Sequence, residues 1–156
     1  MHGWRPPLRA QTDDIGANVR EALVADVDRI RALAGQLGYD VSAQHVRERL
    51  DDRDDRREVF VAIVPRVGVV GWIGVAVREA MLGERRTEIE GLVVEDEYRS
   101  NGIGAILLAR AEQWARDNGC GTVRLLANIL RERAHAFYLN HGYDILKSDH
   151  VFEKDL

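Results

Sequence analysis

The sequence predicts a mixed α/β fold in which a central, mostly antiparallel sheet is flanked by helices. Three observations carry that expectation. Two segments near the N-terminus place apolar residues at helical spacing. Three β-branched runs then follow one another between Val59 and Val94, separated only by short turns. After them a longer amphipathic segment, a further β-branched run and a second helical segment lead to the C-terminus. No internal repeat or linker interrupts this order, so residues 18–156 read as one domain behind a loose arm over residues 1–17, which mixes Pro, Gly and charge without periodicity.

In chain order, "NVREAL" reads as a short first strand. Asp26 or Asp28 is placed to cap a helix in which Val27, Ile30, Leu33, Ala34 and Leu37 recur at helical spacing, ending at Gly38. "VSAQHVRERLDD" begins a second helix at Ser42, with Val46 and Leu50 on one face. The charge run "DDRDDRRE" reads as a solvated helix end and loop. "VFVAIVP", "VGVVGWIGVAV" and "TEIEGLVV" give three consecutive antiparallel strands. A helix from about Gly102 to Asn118 follows, apolar at Ile103, Leu107, Ala111 and Trp114 and stopped by Gly119. "TVRLLA" is a fifth strand, "RERAHAFYLNHG" a shorter helix ended by Gly142, and "YDILK" with "HVFEKDL" a closing hairpin. The predicted order is β-αα-βββ-α-β-α-ββ.

Composition narrows the function. Hydrophobic residues make up 46% of the chain and charged residues 31%, the balance of a soluble globular protein. A net charge of -4 disfavours a broad nucleic-acid surface. The single cysteine, Cys120, allows neither an internal disulfide nor a multi-cysteine zinc site, which fits a reducing cytoplasm. It reads as a passive small residue. No segment has the order of a signal peptide, and no apolar run approaches the roughly 18 residues of a membrane span. No His, Cys and carboxylate set has metal-ligand spacing, so no metal is expected.

Chemistry concentrates where the fourth strand meets the next helix. Arg99, Ser100, Asn101, Gly102, Ile103 and Gly104 occupy that junction. A helix start exposes amide N–H groups with no partner and favours anions. Glycines there let several amides surround a phosphate. The P-loop is excluded because its Gly-Lys-Ser/Thr is missing, and the dinucleotide fingerprint because Leu107 stands where a third glycine is needed. What remains is R-x-x-G-x-G between a strand and a helix.

That pattern, preceded by "LVV", resembles the acetyl-coenzyme-A signature of the GNAT (Gcn5-related) N-acetyltransferases. Downstream, "RERAHAFYLNHGY" resembles the R-x-x-A-H-x-F-Y-x-x-x-G-F segment of many bacterial members. Arg131, Ala134, His135, Phe137, Tyr138 and Gly142 match it, and Tyr143 replaces the usual Phe. The element order agrees too, so the resemblance runs from about residue 19 to the C-terminus.

The resemblance implies a sheet splayed between the fourth and fifth strands, with the pantetheine arm of acetyl-CoA between them. Leu92, Val93 and Val94 would pair with the arm, and the amides from Arg99 to Gly104 would hold the pyrophosphate. An amine would attack the acetyl group directly in a ternary complex. Tyr138 is then the general acid for the departing thiolate, although its spacing alone would make it part of an Ala134–Phe137–Tyr138 packing stripe. Asn128 either binds the cofactor or is a turn residue. Strand alternation puts Glu88, Glu90, Leu92 and Val94 on one face. Glu90 is the candidate base or water-orienting group there, ahead of Glu88; otherwise it is a strand glutamate facing Arg78. Trp72 either lines the acceptor pocket or packs in the core. His135 and His141 are within reach of the last helix, His135 more as a structural hydrogen-bonding group.

The expected protein is thus an acetyl-CoA-dependent N-acetyltransferase acting on a primary amine of a small molecule or a protein. The alternatives are a CoA-binding module without turnover, or an enzyme for another acyl group or an O-acceptor. No nucleic-acid or membrane partner is expected, and exposed edge strands leave a homodimer open.

Overall fold

The computed structural model describes residues 15–52 and 54–156. Most of the expected N-terminal arm lies outside them. The chain divides into two compact units, one ending at Leu125 and the other spanning Leu126–Leu156.

The first unit is built on a five-stranded sheet in the order β1-β2-β3-β4-β5. Its strands are β1 (Asn18–Glu21), β2 (Arg57–Val64), β3 (Gly68–Glu79), β4 (Arg85–Val94) and β5 (Val123–Leu125). The first four pair antiparallel, and β5 pairs parallel with β4. Tight turns join β2, β3 and β4, as the β-branched runs predicted. The parallel step from β4 to β5 takes a crossover through helix α3 (Ile103–Asp117).

Helices α1 (Val27–Gln36) and α2 (Ala43–Asp51) cover one face of the sheet. Val27, Ile30 and Leu33 of α1 and Val46 of α2 join Val61, Val69 and Val93 of the strands in one apolar cluster, with Leu50 and Trp72 packed against it. Ser42 caps α2 as expected, its hydroxyl accepting from the His45 N–H. Asp26 stands at the start of α1 but does not cap it. Its carboxylate instead accepts two hydrogen bonds from Arg20 and one from the Leu23 N–H.

Helix α3 covers the opposite face. Ile103, Leu107, Leu108 and Ala111 are buried there with Phe60 and Ile73. Gly71 permits the close approach, because a Cβ at that position would lie 2.9 Å from the Val93 carbonyl and 3.2 Å from Leu107. Arg110 lays its guanidinium over the Phe60 ring, 4.2 Å from the centroid.

The second unit contains helix α4 (Glu132–Asn140), closed by Gly142 at φ 86°. The expected closing hairpin is absent: residues 144–156 form neither helix nor strand. A strand exists only where a neighbour pairs it, and "YDILK" and "HVFEKDL" find no such neighbour within the described residues. The fifth strand is also shorter than "TVRLLA", covering only its middle three residues.

Candidate functional site

The junction between β4 and α3 has the backbone that its glycines suggested. After Val94 the chain makes a single 3₁₀ turn, Asp96–Tyr98, and then bends into α3. Ser100 (φ 68°) and Gly102 (φ 77°) both adopt left-handed backbone within three residues. Gly102 is the residue from which α3 starts, and no side chain caps that start. The first helical N–H to return into the helix is that of Ile106, to the Gly102 carbonyl. The amides ahead of it have no partner inside the helix, and the first turn carries no acidic residue. Such an end is electropositive and open to a phosphate oxygen.

Side chains brace this loop from behind. Arg99 donates to the Val94 carbonyl and pairs with Asp96, while Asn101 donates to the Arg99 carbonyl. Ile103 is buried, anchoring the helix start. Glu95, just ahead of the turn, accepts from Arg29 at 2.8 Å and Gln36 at 2.7 Å, which ties α1 to the end of β4. Those bonds, Arg29 first, hold its carboxyl below the usual carboxylate range.

The second feature is the parting of two strands. β5 ends at Leu125, opposite Ile89 of β4. From Glu90 to Val94, β4 continues with β3 on one side and no β5 residue on the other. Leu92, Val93 and Val94 therefore lie where the splay was expected. Val93 buries its side chain in the α1–α2 cluster, while Leu92 and Val94 are half-buried.

Glu90 occupies a β-bulge. Gly74 of β3 faces Gly91, and the next residue, Val75, faces Ile89, so Glu90 is left opposite nothing. The bulge corrects the expected alternation. Glu88 and Glu90 share the α1–α2 face with Gly91 and Val93, whereas Leu92 and Val94 turn toward α3. On that face Glu90 pairs with Arg49 of α2 through one oxygen and with Arg78 through the other, at 3.4 Å. Glu88 lies 3.9 Å from Arg78. Glu90 thus faces Arg78, the alternative to a role as base; Arg49 had no sequence signal, because a helix and a bulged strand bring it in from 41 positions away.

Trp72 lies beside this cluster, the outer atoms of its ring against the facing glycines. A Cβ on Gly91 would meet the ring at 2.7 Å and one on Gly74 at 3.6 Å. Its indole N–H is buried without a partner, as is one terminal nitrogen of Arg49. Trp72 is core packing on one side and candidate pocket wall on the other.

The second unit holds Asn128 and Tyr138. The Asn128 side chain accepts from the Leu130 N–H at 2.9 Å and its carbonyl meets the His135 ring at 2.9 Å, the geometry of a turn residue. His141 is held at 2.7 Å by the Phe137 carbonyl, so both histidines have structural partners. Tyr138 packs edge-on against Phe137, with centroids 5.1 Å apart, and against Tyr143 at 5.6 Å. Burial pushes its hydroxyl up to about 12. The phenol consequently keeps its proton at any pH near neutrality.

Cys120 is buried and free. Among the described residues no group of three or more His, Cys, Asp or Glu is arranged to hold a metal ion. No described helix is long and apolar enough to cross a membrane.

The chain is similar to known proteins in both sequence and fold. The pattern of the family described as "Acetyltransferase (GNAT) family" matches residues 26–143. An aminoglycoside N(6')-acetyltransferase type 1 of Stenotrophomonas maltophilia is 26% identical over 132 residues, covering 81% of this chain and 85% of that protein. An aminoalkylphosphonate N-acetyltransferase of Salmonella typhimurium is 48% identical over 56 residues, 36% of each chain, so the match spans about a third of that relative. Among solved structures, an aminoglycoside antibiotic 6'-N-acetyltransferase from Acinetobacter baumannii superposes with a TM-score of 0.79 at 22% identity, over 90% of this chain and 99% of that one. That last likeness concerns the fold.

Proposed function

This chain belongs to the GNAT acetyltransferase family, and from that premise we propose that it moves the acetyl group of acetyl-CoA onto a primary amine in a ternary complex. The observation that carries the proposal is the uncapped start of α3, with left-handed backbone at Ser100 and Gly102, beside a β4 that loses its β5 partner from Glu90 onward. Acetyl-CoA supplies the activated thioester. The amides from Arg99 to Gly104 hold its pyrophosphate, and Leu92, Val93 and Val94 present backbone groups to its arm as an added strand would. A β4 N–H is then the donor to the acetyl oxygen as negative charge develops there. Asn128 contributes a polar contact to the arm.

The attacking amine must shed a proton, and the leaving sulfur must gain one. Glu90 already accepts from Arg49 and Arg78 with both oxygens, which supports a role in orienting water that carries the amine's proton away. Tyr138 is the donor to the sulfur, and its retained proton supports that role. The match to R-x-x-A-H-x-F-Y supports a place among the bacterial members that carry this segment. A lone buried thiol suits a reducing cytoplasm, and a homodimer completes the proposal.

The acceptor is an amine of a small molecule or a protein; the aminoglycoside and aminoalkylphosphonate named for the relatives belong to those proteins. The test is release of free thiol from acetyl-CoA across a panel of primary amines that includes both classes and a lysine peptide. Acetyl-dependent release with at least one amine is expected. If no amine on the panel releases thiol while CoA binds, the chain is a CoA-binding module instead.

A further inference from the structure

The face of the sheet that α1 and α2 cover carries more hydrogen-bond donors than it satisfies. Among the described residues four buried side-chain N or O atoms lack a partner: Arg49 Nη1, Trp72 Nε1, Arg86 Nε and Thr87 Oγ1. The first three are N–H groups, which donate and cannot accept. They share one face. Arg49 reaches Glu90 from α2, Trp72 packs against the α1–α2 cluster, and Arg86 lies directly opposite Arg78 in the β3–β4 register. Thr87, next along β4, turns to the other face.

Buried donors are almost always paired, so a group of them without acceptors is an exception with a cause. The carboxylates of this face do not supply the acceptors. Glu90 already accepts from Arg49 and Arg78 with its two oxygens, and Glu88 lies 3.9 Å from Arg78. Three guanidinium groups thus stand against two carboxylates, in a chain whose net charge is -4. The cluster is not sealed, since the Arg49 side chain is 28% exposed and that of Arg78 43%. A molecule arriving from solvent can complete these donors. An oxyanion does so best, because a guanidinium matches carboxylate and phosphoryl oxygens two at a time, and such bonds are the strong ones.

We propose that this face is an oxyanion subsite for the acceptor, so that the preferred acceptor is a primary amine carrying a carboxylate or phosphoryl group a few bonds from its nitrogen. Arg49 and Arg78 hold the oxyanion, and the Trp72 N–H is a further donor on the same face. Both arginines end at Glu90, where β4 loses its β5 partner. An anion held by them leaves the amine beside the open stretch of β4. That nearness to the reacting centre rests on the acetyl transfer proposed above; the anion binding itself does not. A polycationic acceptor meets the same two guanidiniums and is disfavoured.

The test compares thiol release from acetyl-CoA for matched amines, β-alanine against its amide and phosphoethanolamine against ethanolamine. In at least one pair kcat/KM should favour the anionic member by about tenfold or more, and the pair that does so identifies the oxyanion. Arg78→Met should bring that ratio close to unity. Both rates are read on one sample, so partial unfolding or a displaced Glu90 lowers them together and leaves the ratio alone. An anionic member no better than its neutral partner, or a ratio unchanged in Arg78→Met, overturns the proposal. Binding is read without turnover by calorimetric titration of methylphosphonate and of acetate into protein saturated with CoA, which keeps the ion from the Arg99–Gly104 loop. The parent should bind one of them, with Kd raised about tenfold or more in Arg49→Met and in Arg78→Met. No binding of either ion, or equal binding by parent and both variants, also overturns it. If no amine releases thiol, the acetyl transfer fails as the activity, and the titration alone decides the subsite.

Discussion

Tyr138 and Asp26 show how differently two desolvated ionisable groups can be used. The Tyr138 phenol has been raised to about 12 by loss of solvent, with no charged partner to share the effect. In the proposed reaction it acts only by being protonated, so Tyr138→Phe should keep the contacts with Phe137 and Tyr143 and lose turnover. General acids are worth about 10² to 10⁴-fold, and a fall in kcat of at least about tenfold with an unchanged KM for acetyl-CoA is the expected result. A rate within about twofold of the parent would return Tyr138 to packing alone. Asp26 goes the other way. Burial raises its carboxyl, but the Arg20 and Leu23 hydrogen bonds more than reverse this and leave it below the ordinary value. A depressed carboxyl adds stability above its unfolded value near 3.9, and that stability is lost as pH falls through the folded value. Asp26→Asn should therefore cost about 2 kcal/mol in urea unfolding at pH 7, and the difference should shrink below about pH 4. Sequence position alone suggested Asp26 as the cap of α1; the nearby Arg20 on β1 captured it instead.

At the scale of elements, the sequence was most readable where a period is imposed by one neighbouring surface. The stripes of α1, α2 and α3 and the β-branched runs of β2, β3 and β4 appear with boundaries shifted by a few residues. Glu90 was harder, because a bulge depends on the register of two strands, and nothing in "TEIEGLVV" announces that Gly74 will face Gly91. The closing hairpin failed for a related reason, since β-propensity describes a willingness to pair and the described residues give residues 144–156 no pairing partner. The turn into α3 was legible because Gly102 marks its backbone geometry directly. Its test belongs at this scale. Gly104→Val places a branched side chain in the first turn of α3, where the proposal has amides approach the pyrophosphate closely. The calorimetric Kd for CoA should rise by about tenfold or more, while far-UV dichroism stays that of the parent. Unchanged affinity would remove the phosphate from this loop.

For the whole molecule, the proposed homodimer would make stability a matter of concentration. If two copies associate, the unfolding midpoint cannot be a property of one chain. Association of the native state alone adds stability by mass action, about 1.4 kcal/mol for each tenfold in concentration of the partner. The Tm should accordingly climb by a few degrees between about 1 and 100 µM protein, as that gain predicts for a chain of this size. Scanning calorimetry or dye-monitored melting over that range reads it. A midpoint independent of concentration would mean that the chain folds alone.

The one-sided stretch of β4 from Glu90 to Val94 reaches beyond catalysis. A strand with one open flank breathes more readily than one held on both, and its amides trade hydrogen for deuterium faster. Saturating CoA should slow that trade at Leu92 and Val94 while leaving the β2–β3 ladder unchanged, which exchange mass spectrometry can resolve. If acetyl-CoA finishes this sheet as proposed, the protein's resistance to proteases should rise and fall with the supply of that thioester. Its lifetime in a cell would then follow the carbon flux that makes acetyl-CoA.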